Sequence, residues 1–253
     1  DEHPVGLEFE KYFSALGVGV TMNRNAGMIT WEDGNWLDEP KFIMTGFTAK
    51  RVSETPFSKG IQTHILKMWV TSEKETDILS YLHNKYVETI NGKIELKNLV
   101  KRSRLKPSRF MVKCDGCKAK YHIKDCLKIE WCGKCSADTK KFVTLEGKKP
   151  TFGSGIAGVL YCWEKKDVTF DDSYLFIKVK DVNDTYTHPL TKENKSVEYV
   201  SGTTYSDLEG YTVDWEHYAE QVVKKAEPIY KAMNWDLSSI RTGRIQKKLD
   251  DWW

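Results

Sequence analysis

Apolar positions along this chain recur with two different periods, and each period predicts its own kind of element. Residues 5–13, Val-Gly-Leu-Glu-Phe-Glu-Lys-Tyr-Phe, alternate apolar and polar side chains and predict a strand. Met28-Ile29-Thr30-Trp31 predicts a second strand entering a turn at Asp33-Gly34. A third is expected from about Lys41 to Lys50, after the break at Pro40. The period then changes. Thr55-Pro56 reads as a helix start with proline at the first helical position, and Phe57, Ile61, Ile65, Met68 and Trp69 follow at helical spacing. A second helix, over about Glu75–Val87, carries Ile78, Leu79, Leu82 and Tyr86 on one face. Asn91-Gly92 turns the chain into a short strand expected around Ile94–Val100. Past a cysteine-containing basic segment, Phe152-Gly153-Ser154-Gly155 leads into an apolar run over 156–163 that reads as a buried strand. Residues 164–210 are polar with strand-like stretches such as Tyr174–Val179. Trp215 opens the last long helix, with Tyr218, Val222, Val223, Ala226, Ile229 and Tyr230 inward and an end or bend at Asn234-Trp235-Asp236. The fold class these elements predict is α+β.

Composition adds bounds. With 253 residues, 40% hydrophobic and 30% charged, the chain can bury one large or two modest cores. No apolar run approaches the roughly 20 residues that span a bilayer, so no membrane partner is expected. The start, Asp1-Glu2-His3-Pro4, has neither the charged nor the apolar region of a secretory signal and does not begin with Met. The expectation is a fragment or processed piece, not secreted and therefore cytoplasmic. The net charge of +3 is unevenly spread. Lys97 to Lys149 hold 16 Lys/Arg against 5 Asp/Glu, a local +11 that leaves −8 on the remainder. That polarity suits a polyanionic partner or, equally, a solvated lysine-rich surface.

The cysteines sit in that basic segment. Cys114-Asp115-Gly116-Cys117 and Cys132-Gly133-Lys134-Cys135 form C-x2-C-x14-C-x2-C. Each pair has knuckle spacing, and four thiolates at about 2.3 Å complete the tetrahedron of structural zinc. Gly116 and Gly133 suit the tight turns such knuckles need. Two disulfides or idle thiols are the alternatives, and disulfides are disfavoured in a chain without a secretory signal. His122 and Cys126 lie in the loop as reserve ligands; Cys162, in an apolar run, reads as core. Four protein ligands leave no open position, so the expected Zn2+ is structural, stiffening an excursion that carries Lys113, Lys118, Lys120, Lys124, Lys128 and Lys134.

The last eight residues, Gln246-Lys247-Lys248-Leu249-Asp250-Asp251-Trp252-Trp253, place two tryptophans where chain ends usually fray. In a 3-10 turn, side chains three apart eclipse, so Gln246, Leu249 and Trp252 would line one edge with Trp253 beside them. The alternative is a last turn folding back on its own domain. The pattern resembles the Gln-x-x-aliphatic-x-x-aromatic-aromatic peptide by which replication proteins grip the sliding clamp (PCNA).

Taken in order, further segments resemble the C-terminal third of an archaeal-type family-B DNA polymerase. They are Leu7-Glu8-Phe9-Glu10-Lys11-Tyr12-Phe13, Ala26-Gly27-Met28-Ile29, and Thr45-Gly46-Phe47-Thr48-Ala49-Lys50-Arg51. Thr55-Pro56-Phe57-Ser58-Lys59-Gly60-Ile61-Gln62 is similar to the start of that family's thumb. Gly155-Ile156-Ala157-Gly158-Val159-Leu160-Tyr161 resembles the strand on which the thumb returns, and Asp214-Trp215-Glu216-His217-Tyr218 through Pro228-Ile229 its closing helix. The resemblance covers nearly the whole chain apart from about 107–150, and the order of the segments carries it.

The resemblance implies a division into 1–50, the remainder of a palm; 51–112, a first part of a thumb; 113–137, a zinc-ribbon-like insertion; 138–240, the second part of the thumb; and 241–253, a clamp-binding tail. It implies that Lys50, Arg51, Lys59 and Gln62 touch the backbone of primer–template duplex DNA, and that Lys101, Arg102, Arg104 and Lys106 approach the minor groove. The family's Lys-x-Tyr primer grip would fall on Asn23-Arg24-Asn25, where only Arg24 keeps a cation, and the zinc knuckle is an insertion the family pattern lacks. Paired carboxylates for two Mg2+ ions are needed for family-B catalysis, and no Asp-Thr-Asp motif occurs here. Glu8 and Glu10 read as solvent-facing strand residues, and Asp250-Asp251 flank the clamp plug. No residue of this chain is therefore expected to be catalytic. Mg2+ belongs only to the complete polymerase, whose catalytic part would be a large subunit or a missing N-terminal portion. The competing expectation is a free-standing zinc-ribbon DNA-binding adaptor for the clamp; a metal-dependent nuclease is disfavoured by the lack of a carboxylate cluster.

Overall fold

The described residues of the computed structural model are 25–32, 35–47, 54–166 and 168–244. In chain order they form β1 (Asn25–Glu32), β2 (Asn35–Thr45), α1 (Pro56–Val70), α2 (Glu75–Ile90), α3 (Leu96–Leu99) and β3 (Lys101–Arg104). There follow β4 (Met111–Cys114), β5 (Lys120–His122), α4 (Ile123–Cys126), β6 (Phe142–Thr144) and α5 (Ser154–Lys165). The series ends with β7 (Ser173–Lys178), β8 (Thr185–Thr187), β9 (Asn194–Ser196), β10 (Tyr199–Gly202), α6 (Trp215–Met233) and α7 (Ser239–Thr242). Small antiparallel sheets and helices alternate without parallel crossovers, an α+β architecture as expected. The chain divides into two units, 1–99 with 215–253, and 100–214. The strand expected over 5–13 lies outside the described residues.

The first unit contains a β1–β2 hairpin and a helical core. The hairpin register runs from Asn25↔Thr45 to Ile29↔Lys41, slips, and resumes at Trp31↔Trp36. The second strand starts before Pro40 instead of after it. Pro40 sits at the slip, where its missing N–H costs no regular ladder bond. Helix α1 begins where the sequence predicts: the Thr55 hydroxyl oxygen accepts from the Ser58 N–H at 3.1 Å, and Pro56 occupies the first turn. Phe57, Ile61, Ile65 and Leu66 of α1, Ile78, Leu79 and Leu82 of α2, and Ala219, Val222, Val223, Ala226 and Ile229 of α6 form its core. Glu75 and Asp77 in the first turn of α2 complement the helix dipole. At its far end Gly92 adopts φ +69°, and an added Cβ would come within 3.2 Å of the Trp215 indole. Lys225, buried on α6, pairs with Glu54 at 2.9 Å. Helix α7 returns onto α2, where His83 Nδ1 donates to the Ile240 carbonyl at 3.0 Å. The strand expected around Ile94–Val100 is instead the single turn α3, which buries Leu99.

The second unit is built on two three-stranded sheets, ordered β10-β7-β3 and β5-β4-β6, with a β8–β9 hairpin. Residues 154–165, expected to be strand over 156–163, form helix α5. An apolar run of this length lacks a decisive period, and its glycines decide the matter. A Cβ on Gly155 would fall 2.7 Å from the Tyr174 ring, and one on Gly158 only 2.5 Å from Ser201 Oγ and 3.0 Å from the Val200 backbone. The helix therefore lies directly on β7 and β10. Cys162 is core as expected, though helical, its thiol donating to the Ser201 carbonyl at 2.9 Å.

Candidate metal centre and its basic surround

Strand β4 delivers Cys114 at its last position, and a hairpin turn carries Cys117 back toward β5. The second pair sits in a turn of the same shape. Cys114 N–H donates to Ala119 O at 2.9 Å and Lys118 N–H to Cys114 O at 3.0 Å; Cys132 N–H donates to Ala137 O at 2.7 Å and Ser136 N–H to Cys132 O at 2.8 Å. The two knuckles thus repeat one hydrogen-bond pattern. Their left-handed residues are Lys118 (φ 60°) and Ser136 (φ 56°), each just after the second cysteine. The turn glycines of the sequence reading, Gly116 and Gly133, are not among the positive-φ positions. A Cβ at Gly116 would meet the Cys114 and Cys135 sulfurs at 3.9 Å, an ordinary contact, so the site does not require glycine there.

The four sulfurs converge. Cys114 and Cys135 Sγ are 3.5 Å apart, Cys117 and Cys132 Sγ 3.4 Å apart, and all four lie within 4.8 Å of one another. A tetrahedron with metal–sulfur bonds of about 2.3 Å has edges of about 3.8 Å, inside this range. The separations are far beyond the about 2.05 Å of a disulfide, so the cysteines are free thiols placed where they could hold a metal ion. The reserve ligands stay outside the group. His122 Nδ1 accepts from the Lys124 N–H at 3.2 Å, its ring set between Phe110 and Trp163. Cys126 is buried, and burial raises its thiol to about 11.

Tyr121, which the sequence does not single out, braces the site. Its hydroxyl lies 3.2 Å from Cys132 Sγ and accepts from the Gly133 N–H at 2.9 Å. That hydroxyl is the first of the contacts that bring the Cys132 thiol down to about 6, favouring the thiolate a metal needs. The ring stacks on Phe142 of β6, with centroids 5.0 Å apart. Beyond it, Thr139 Oγ1 donates to Leu190 O at 2.8 Å, and Lys192 Nζ donates to Cys126 O and Pro189 O. The ligand loop is therefore tied to the 188–192 turn of its own unit.

The cations fall into two sets. Lys113, Lys118 and Lys124 are engaged by Leu145 O, Asp115 and the Trp163 ring. Lys120, Lys128, Lys134, Lys140 and Lys141 are exposed, and none of their ammonium groups forms an ion pair among the described residues. On β3, an edge strand of its sheet, Arg102 and Arg104 are exposed, Lys101 is half-buried, and Lys106 beyond the strand is exposed. On α1, Lys59 is half-buried, and Gln62 is only 3% exposed. So buried a side chain offers almost no surface to a phosphate. Arg24, Lys50, Arg51, Gln246, Leu249, Trp252 and Trp253 lie outside the described residues. So do the sequence features Glu8, Glu10, Asp250 and Asp251.

Among the described residues, no helix is long and apolar enough to cross a membrane. No protein-family model matches this chain, and no curated protein matches it.

Proposed function

We propose that the chain is the palm-end and thumb part, or separate small subunit, of a family-B DNA polymerase. It holds the primer–template duplex and ties the enzyme to a sliding clamp. One observation carries the reading: Arg102 and Arg104 stand exposed on edge strand β3, inside a segment with an excess charge of +11. The ordered polymerase-like segments supply the context, except 155–161, whose expected thumb strand is helix α5. A thumb needs cations that meet phosphates without reading bases, and alternate residues of one strand present such cations on one face. The two Mg2+ ions and their carboxylates belong to the catalytic partner. This chain's contribution is grip and proximity.

Four thiolates in a closed tetrahedral set favour Zn2+ over harder ions. With no position left for water or substrate, that ion stiffens the β4–β6 region and takes no part in chemistry. The tail residues Gln246, Leu249, Trp252 and Trp253 anchor the clamp, raising the enzyme's effective concentration at the primer end.

The test is a salt titration of binding to a labelled primer–template. Log affinity should fall with log salt, and Arg102→Gln with Arg104→Gln should flatten the slope by about 0.9 per lost phosphate contact. An unchanged slope overturns the thumb assignment. A pull-down from native extract completes the test. The intact chain should recover a subunit bearing the polymerase aspartates together with the clamp. Trp252→Ala with Trp253→Ala should lose only the clamp, and recovery of the clamp alone would make the chain an adaptor.

A further inference from the structure

We propose that the second cysteine knuckle binds an unpaired stretch of nucleic acid, with one base stacked on the indole of Trp131 and the flanking phosphates set against Lys128, Lys134, Lys140 and Lys141. This inference does not rest on the polymerase reading, which uses β3 and the tail.

Among the described residues, Trp131, at 56%, is the most exposed of the large apolar side chains and the only exposed one between 100 and 150. Its backbone is nevertheless held on every side. Trp131 bridges Asp138, the Cys132 N–H donates to Ala137 O at 2.7 Å, and the Thr139 N–H donates to Glu130 O at 3.0 Å. The next residue is a member of the metal-ligating group, and Tyr121 fixes the one after that. A rigid backbone beneath a solvent-facing indole is a preformed stacking platform, with little ordering left to do on binding.

The surround selects the partner. A protein anchor would be ringed by further apolar side chains, whereas this loop supplies four exposed lysines within ten residues of the ring. The nearby carboxylates Glu130 and Asp138 are outnumbered by these lysines, and Asp138 Oδ1 is taken up by the Lys140 N–H at 2.8 Å. A duplex hides its base faces in the stack, so a lone indole among lysines suits unpaired bases, whose π-faces stack irrespective of sequence.

The experiment uses the full zinc-loaded chain and anisotropy of labelled strands of about 12 nucleotides: oligo(dT), oligo(rU), and an abasic deoxyribose-phosphate chain of equal length. Oligo(dT) or oligo(rU) should bind at least about tenfold tighter than the abasic chain, and the stronger of the two identifies DNA or RNA as the natural strand. Trp131→Ala should abolish that preference, and Trp131→Phe should keep most of it. Lys134→Gln with Lys140→Gln should flatten the salt slope by about 0.7 per lost phosphate contact and leave the preference intact. Equal binding of base-bearing and abasic strands overturns the proposal, as does a preference that survives Trp131→Ala. Metal content of every variant, and duplex affinity of Trp131→Ala and Trp131→Phe, should not change, so failure here is separable from failure of the thumb assignment.

Discussion

At the scale of single residues, two positions decide how well the second unit is made. Tyr121 touches a cysteine sulfur and a knuckle amide with the same hydroxyl, so it orients a ligand without being one. Tyr121→Phe should lower metal affinity by about tenfold or more, read by competition with a chromophoric chelator. The stacked ring on Phe142 survives in that variant, so the fold should not change. Gly158 is the other. A methyl there meets the Ser201 hydroxyl and the Val200 backbone together. Gly158→Ala should therefore destabilise the unit by about 1–3 kcal/mol in a urea melt. The cysteine set was legible from spacing alone, because two short C-x2-C pairs leave few other arrangements. Tyr121 and Trp131 were not: an aromatic in a strand pattern looks the same whether it braces a ligand, faces solvent or fills a core. The left-handed knuckle positions were missed for a related reason. Glycines advertise that conformation, but hydrogen bonds across each knuckle impose it on Lys118 and Ser136.

At the scale of elements, the sheet β5-β4-β6 is too small to bury a core of its own, since its strands run three to four residues. Its stability must come from outside its strands: the ring cluster of Phe110, His122 and Trp163, the bonds to the 188–192 turn, and an ion held by the four cysteines, as proposed. Removing the ion with a chelator should strip amide-exchange protection from residues 111–144 while α1, α2 and α6 keep theirs. His188 gives that turn a pH dependence. Its Nδ1 accepts from the Leu190 and Thr191 N–H groups, which requires the neutral ring. Burial is the largest cause that lowers its pKa from 6.5; Lys195, Lys192 and Lys149 add to it, and Glu193 opposes. The neutral ring's contribution is thus full above about pH 6.5 and is lost as pH falls through the lower folded value. His188→Asn keeps an acceptor that does not titrate, and should flatten the fall of melting temperature between about pH 7 and 5.

At the scale of the whole molecule, a few contacts join residues far apart in the chain, and they close the first unit. Glu54 and Lys225 are 171 residues apart, and their side chains are 16% and 9% exposed. Glu54→Gln keeps the shape and loses the charge; it should cost about 1–3 kcal/mol, toward the low side because Glu54 retains some water. Thermal unfolding of the pair of single variants and the double variant would isolate the coupling.

What the sequence by itself determined here is local. A hydroxyl before a proline starts α1 at Thr55-Pro56, and helical spacing yields α2 and α6. The cysteine spacing names the metal group, and the charge excess marks the basic segment. These features depend on neighbours within a few residues, so a linear reading can find them. The tertiary structure alone decided that 154–165 is a helix, because the glycine contacts with Tyr174 and Ser201 are made across the fold. It alone decided that Leu96–Leu99 is a turn of helix, that Gln62 is buried, and that Trp131 is exposed on a braced loop. For α5 the deciding neighbours come from distant parts of the chain, and for Trp131 from hydrogen bonds across a loop; side-chain periodicity carries no record of either.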